Sequence, residues 1–191
     1  MPDATTPTPR QRLIDAAADL FYRQGIGAVG VDLVSKVAGV SKRTLYLEFG
    51  SKDQLIAQSL EAKGPEIIGA YLPAEDGDAP PRQQILAAFD RLSWWTASES
   101  YRGCPFVNTA TELADALHPA RHVARDYTLR IRAFFERQAA HGLAQDPSRL
   151  ASQLIAFFDG AIVQAVMGSA LDPAAIAAAV QALLDAQGMR S

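Results

Sequence analysis

Apolar residues recur at helical spacing along nearly the whole chain, and short polar or proline-bearing breaks separate the runs. Leu13, Ala16, Ala17, Leu20 and Phe21 mark one buried face. Thr8-Pro9-Arg10-Gln11 ahead of them reads as a capping box with proline at the first helical position, and Gly25 ends the helix. Ser51-Lys52-Asp53-Gln54 is a second capping box, opening a helix through Leu55, Ile56, Ser59 and Leu60. Asp146-Pro147 and Asp172-Pro173 each pair a capping acid with proline, which marks two more starts. No run alternates apolar and polar residues in the manner of a strand. The pattern predicts an all-α protein of about nine helices, at a mean helix length of roughly 11–12 residues. The stretch Pro73 to Pro81, PAEDGDAPP, reads as an acidic surface loop, and no internal repeat is visible.

Residues 31–49, VDLVSKVAGVSKRTLYLEF, break the pattern into two short pieces. Val31, Val34 and Ala38 space out one short helix. Gly39-Val40-Ser41 is a tight turn in which Gly39 can take the left-handed conformation. Ser41 can cap the next helix, Lys42 to about Phe49, with Leu45 and Phe49 facing inward. Two short helices on a glycine turn form a helix-turn-helix, whose second helix can lie in a DNA major groove. Its first turn is Lys42, Arg43 and Thr44, all hydrogen-bond donors, and Arg43 could fork onto a guanine.

Charge and composition narrow the classes. The 191 residues are 49% hydrophobic and 20% charged, too apolar for a disordered chain. One cysteine excludes an intramolecular disulfide and points to a reducing compartment. Met1 to Arg10 hold Asp3 and three prolines without an apolar core, which is not a signal-peptide pattern. Asp159 and Gln164 interrupt the most apolar run, Leu154 to Leu171, so no membrane span is expected. Net charge is −3, yet residues 1–60 carry seven Lys or Arg against six Asp or Glu, a mild bias toward an anionic partner at that end.

Residues 10–60 resemble the DNA-binding domain of the tetracycline-repressor (TetR) family. Leu13-Ile14-Asp15-Ala16-Ala17, Leu20-Phe21, Gly25, Ala38-Gly39-Val40-Ser41, Thr44-Leu45-Tyr46 and Phe49-Gly50-Ser51-Lys52 carry the resemblance. Gly103-Cys104-Pro105-Phe106-Val107-Asn108, with Glu112 following, is similar to a stretch in one subgroup of that family. The resemblance implies a DNA-reading head, residues 1–50, and a larger helical domain, residues 51–191, that dimerises and holds a small inducer. By match of position it implies that Tyr46 and Lys52 reach phosphates and that Thr44 contacts backbone or base. The candidate DNA-contacting set is Ser41, Lys42, Arg43, Thr44, Tyr46, Leu47 and Lys52. Arg43, Leu47, Glu48 and Gly30 depart from the family's usual residues, which bears on the operator sequence rather than the binding mode. A carboxylate near phosphates costs affinity, so Glu48 is read as facing solvent.

Other signals are weaker. Gly25-Ile26-Gly27-Ala28-Val29-Gly30 is a literal GxGxxG with Glu48 downstream, but a dinucleotide site needs a preceding strand, and a capped helix stands there instead. Cys104 before Pro105 would sit at a helix N-cap, open to a redox role or to plain burial. His118 and His122 could share a helix face, with only Glu112 and Asp115 as further ligands; no metal site and no cofactor is assigned. Neither a Ser-His-Asp pattern nor HExxH is present, so no catalytic residue is named and an enzyme is not expected.

Phe89, Leu92, Trp94, Trp95, Phe106 and Asn108 could each line a pocket or simply fill the core; as a group they are the candidate effector-binding residues because the resemblance implies a pocket in this domain, for a small, largely apolar molecule. Leu154, Phe158, Ile162 and Val166, then Ile176, Val180 and Leu184, form two stripes that either pair with a second copy or bury inside one protomer; the dimer is favoured, because paired heads fit two DNA half-sites. The expectation is a cytoplasmic, homodimeric, ligand-responsive transcriptional regulator, most simply a repressor on a pseudo-palindromic operator. The alternatives are a nucleotide-cofactor enzyme, from the glycine run alone, and a helical dimerisation module that does not bind DNA.

Overall fold

Local capping chemistry sets the helix starts. Thr8 Oγ1 accepts from the Gln11 amide at 3.1 Å and Pro9 opens α1, Pro9–Gln24. Ser51 Oγ accepts from Gln54 at 3.1 Å at the head of α4, Lys52–Tyr71. Asp146 and Asp172 cap α8, Pro147–Val166, and α9, Pro173–Ala186, accepting from Arg149 at 3.0 Å and Ala174 at 2.9 Å. Between these lie α2, Val31–Ala38; α3, Lys42–Phe49; α5, Pro81–Thr96; α6, Pro105–Glu112; and α7, Pro119–His141. A computed structural model describes residues 7–74, 78–169 and 172–189, and among them there are nine helices and no strand. The first six residues, the centre of the PAEDGDAPP loop and Leu171 lie outside the described residues.

The chain divides into two compact units. The first holds the described residues of Met1–Pro65 together with Pro105–Arg125. Its core gathers Leu13, Ala17, Val34 and Leu45, each wholly buried, with Leu55 from α4 and Ala120 from α7. Burying one such Leu contributes about 1.5–3 kcal/mol. Leu113 and Val123 pack against the same core, so α6 and the start of α7 complete the head although they lie far along the chain. The second unit, Glu66–Cys104 with Asp126–Ser191, packs α5, α8 and α9 together. Phe89 stacks on Phe135, Phe157 and Phe158 at 5.6–5.9 Å between ring centres.

The two C-terminal stripes turn inward. Leu154, Phe158, Val180 and Leu184 are wholly buried, Ile162 and Ile176 nearly so, and only Val166 is half exposed. A side chain already enclosed by its own protomer offers no surface to a partner, so six of these seven are core rather than interface residues. The exposed apolar residues at this end are instead Val163 and Val166 of α8 and the C-cap residue Met167. By length and composition α8 could cross a membrane. Here one face, including Leu150, Leu154, Phe158 and Ile162, is buried within the second unit, and Asp159 breaks its apolar run.

Helix α7 ends unusually. Ala144 donates to the Ala139 carbonyl at 3.0 Å and Leu143 to Ala140 at 3.1 Å, a Schellman closure. The left-handed position of that closure, φ +56°, is taken by Leu143 rather than by the neighbouring Gly142.

Candidate nucleic-acid interface

The turn between α2 and α3 forms as the sequence dictates. Gly39 takes φ +61°, and the Val40 amide donates back to Ser35 at 3.0 Å, closing α2 in a left-handed glycine cap. Ser41 Oγ then caps α3, accepting from the Thr44 amide at 3.0 Å and lying 2.8 Å from the Thr44 hydroxyl. Ser41 and Thr44 therefore hold the first turn of the helix. Leu45 and Phe49 anchor α3 in the core. Lys42, Arg43, Tyr46 and Leu47 are left exposed along the opposite side.

These four do not stand alike. Lys42 Nζ pairs with Asp32 of α2 at 2.8 Å, and this hydrogen bond raises the Lys42 pKa above its ordinary value. Arg43 makes no ion pair or side-chain hydrogen bond among the described residues. Leu47 is 76% exposed, an apolar side chain held in solvent at the centre of a polar face. Glu48 is turned toward Arg10 rather than simply to water: the Arg10 guanidinium donates to the Glu48 carbonyl at 3.1 Å, sits 3.7 Å from its carboxylate and lies over the Phe49 ring at 4.7 Å. The same guanidinium donates to Gln58 of α4. A cation at the carboxyl end of α3 also complements the helix dipole. Arg10 thus fixes the angle of α3. Sequence reasoning missed it, because its partner is 38 residues away and charge alone does not reveal a clamp.

Lys52 has a structural duty. Its ammonium donates to the Ile26 carbonyl at 2.8 Å and lies 6.0 Å from the Phe21 ring centre. The amide of the same Ile26 donates to Glu112 of α6 at 2.6 Å. One peptide segment of the α1–α2 turn is therefore held from both sides. Gly25, at φ +88°, makes room for this: a Cβ there would stand 3.2 Å from the Glu112 carboxylate. The GxGxxG run thus joins two helices and seats a carboxylate, and what stands before it is the helix α1. His118 of the α6–α7 turn is buried; its Nδ1 accepts from the Ala120 amide at 3.1 Å and its Nε2 faces Asp53 of α4 at 3.3 Å.

The effector candidates are distributed over both units. Phe89, Leu92, Trp94 and Trp95 belong to the second unit, Phe106 and Asn108 to the first. Phe89, Leu92 and Phe106 are buried, Trp95 and Asn108 half-buried. Trp94 is 79% exposed, so it packs into no interior. Cys104, directly before α6, is buried with Sγ 3.9 Å from the Tyr71 hydroxyl. Burial and that thiol push the Tyr71 pKa far up.

Residues 13–58 match the family model described as bacterial regulatory proteins, tetR family, and residues 81–183 match the tetracyclin repressor-like C-terminal domain. The transcriptional regulator LmrA of Bacillus subtilis is 25% identical over 158 residues, spanning 81% of this chain and 84% of LmrA. The repressor DhaR of a Mycobacterium species is 27% identical over 175 residues, 84% of this chain and 83% of DhaR. A TetR transcriptional regulator from Streptomyces avermitilis superposes with a TM-score of 0.89 at 40% identity, covering 96% of this chain and 100% of that one. With the helix-turn-helix seated on its head core and both family models matched in register, this chain belongs to the TetR family of DNA-binding transcriptional regulators, not to a family of enzymes.

Proposed function

We propose that the protein is a cytoplasmic homodimeric repressor that binds a pseudo-palindromic operator and is released by a small-molecule effector. The observation that carries this reading is the outward face of α3, where Arg43 is unpaired among the described residues while the helix beneath it is capped and clamped. Arg43 reads a guanine through paired donors to O6 and N7, and Leu47 packs on a thymine methyl. Lys42, Tyr46 and the α4 N-terminus at Ser51-Lys52 take phosphates, which position the head without reading sequence. Lys52 keeps two ammonium donors beyond the one given to Ile26. Ser41 and Thr44 act mainly by holding the first turn of α3.

Two heads fit half-sites about 34–36 Å apart, which calls for a dimer. The exposed Val163, Val166 and Met167 at the end of α8 supply apolar surface for a second copy. The second unit holds the effector among rings that include Phe89 and Trp95. An effector shifts the population only by preferring the state that does not bind DNA.

Fluorescence anisotropy against the DNA flanking the protein's own gene, with unrelated competitor and at two salt concentrations, tests the reading. Saturable binding that survives competitor supports it. Binding that competitor abolishes at both salts would leave a dimerisation module that reads no sequence. Equal DNA affinity with and without saturating effector would remove the induction step.

A further inference from the structure

Every acidic side chain of α1, α2 and α3 meets a cation. Asp15 pairs with Lys63 of α4 at 2.8 Å, Asp19 with Arg23 at 2.5 Å and Asp32 with Lys42 at 2.8 Å, and Glu48 lies 3.7 Å from Arg10. The cations of these helices are in excess of that pairing. Arg12, Lys36 and Arg43 are exposed, and none of them makes an ion pair or side-chain hydrogen bond among the described residues.

The surplus is not scattered. Arg43 stands in the first turn of α3 and Lys36 in the last turn of α2, where its carbonyl takes the Gly39 amide at 3.2 Å. Asp32 and Lys36 are one helical turn apart on the same face of α2. Asp32 holds Lys42, so that face borders the amino end of α3. Arg12 arrives from α1. A Cβ placed on Gly39 would stand 3.6 Å from its Nη1, so the guanidinium lies against the α2–α3 turn. Arg10 and Arg12, two positions apart, diverge by about 200° around α1. Arg10 therefore goes to the carboxyl end of α3, while Arg12 goes to the turn that leads into its amino end. The amino end is the one that approaches base edges when such a helix enters a major groove. Free cations carried there on three helices face the phosphates that border the groove, where each contact gains from released counterions.

We propose that Arg12, together with Lys36, binds backbone phosphates at the edge of the groove that α3 enters. This rests on the reading that the outward face of α3 meets DNA, and it adds α1 to the docking surface. The Arg12 guanidinium presents paired donors to the oxygens of one phosphate, and Lys36 acts as a point charge. Neither reads a base. A cation that served only to complement the dipole at the carboxyl end of α2 would affect folding and not the salt dependence of binding.

The test measures fluorescence anisotropy of the full chain on the duplex flanking its own gene and on an unrelated duplex, over a range of salt concentrations. In Arg12→Ala the slope of log affinity against log salt is expected to fall by about 0.9 per head, with both duplexes weakened by the same factor. Lys36→Ala should lower it by a similar amount, and Arg12→Lys should keep most of the wild-type slope. Arg23→Ala, which removes a cation already paired with Asp19, should leave the slope unchanged. Urea unfolding of each variant separates a folding defect from a lost contact. A wild-type slope in Arg12→Ala would overturn the assignment, as would an equal fall in Arg23→Ala or a loss confined to one base pair. Wild type that binds neither duplex would instead overturn the reading on which the assignment rests.

Discussion

Glu112 and Lys52 share a single residue between them. The carboxylate takes the Ile26 amide and the ammonium takes the Ile26 carbonyl, so the turn that leads into α2 is set by two side chains from α6 and α4. Removing either leaves a polar group of a nearly buried residue without its charged partner, a loss of about 1.5–3 kcal/mol. Glu112→Ala, which touches no proposed DNA contact, is expected to lower the urea unfolding free energy by that amount and to weaken specific DNA binding. An unchanged unfolding curve would show the clamp to be idle. Lys52→Ala should combine the same destabilisation with a phosphate loss, lowering the salt slope by about 1. Asp32 acts in the opposite sense. It holds the Lys42 ammonium at 2.8 Å, where a phosphate would compete for it. Asp32→Asn is expected to raise affinity for unrelated DNA severalfold and steepen the salt dependence by about 1. A flat response would mean that Lys42 does not reach the phosphates.

At the scale of helices, starts were legible and neighbours were not. Thr8-Pro9, Ser51, Asp146-Pro147 and Asp172-Pro173 act through bonds only two or three residues long, so the sequence announces them. The α8 and α9 stripes show why reading stops there. Periodicity reveals that Phe158 and Val180 face something apolar but not whether it belongs to the same chain. Gly25 reads as a helix end, but the carboxylate it makes room for, Glu112, binds Ile26 across 86 residues and leaves no local mark. Trp94 and Trp95 are adjacent in sequence, yet one faces solvent and the other the ring cluster, because successive helix positions turn by about 100°. The end of α7 gives a testable case of local chemistry at odds with its conformation. Leu143 occupies a left-handed position that costs a residue with a Cβ roughly 1–2 kcal/mol. Leu143 is 85% exposed, so little packing would be lost on replacing it. Leu143→Gly is therefore expected to raise stability by about 0.5–1 kcal/mol after the added entropy of the unfolded glycine. A lower melting temperature would mean that the exposed side chain makes a contact in the assembled protein.

At the scale of the molecule, function separates by unit. The first carries the outward face of α3, clamped by Arg10, and an α1–α2 turn held by Glu112, both residues of its own unit. The second carries the aromatic core. The division at residue 50 implied by the resemblance carries no sign of Pro105–Arg125, since only tertiary packing brings Ala120 and Leu113 against the core of the first unit. The net charge of −3 gave no sign of a nucleic-acid partner, because readiness to bind DNA resides in a few placed side chains rather than in the total.

The central claim is that the exposed face of α3 reads sequence through Arg43. The most direct measurement compares wild type and Arg43→Ala on the operator and on each of its single-base variants, at one fixed salt concentration. Arg43→Ala is expected to lose about 1–3 kcal/mol of discrimination at one base pair in each half-site while its affinity for unrelated DNA changes little. Unaltered discrimination at every position, or an equal loss on all DNA, would contradict the assignment of sequence reading to this residue.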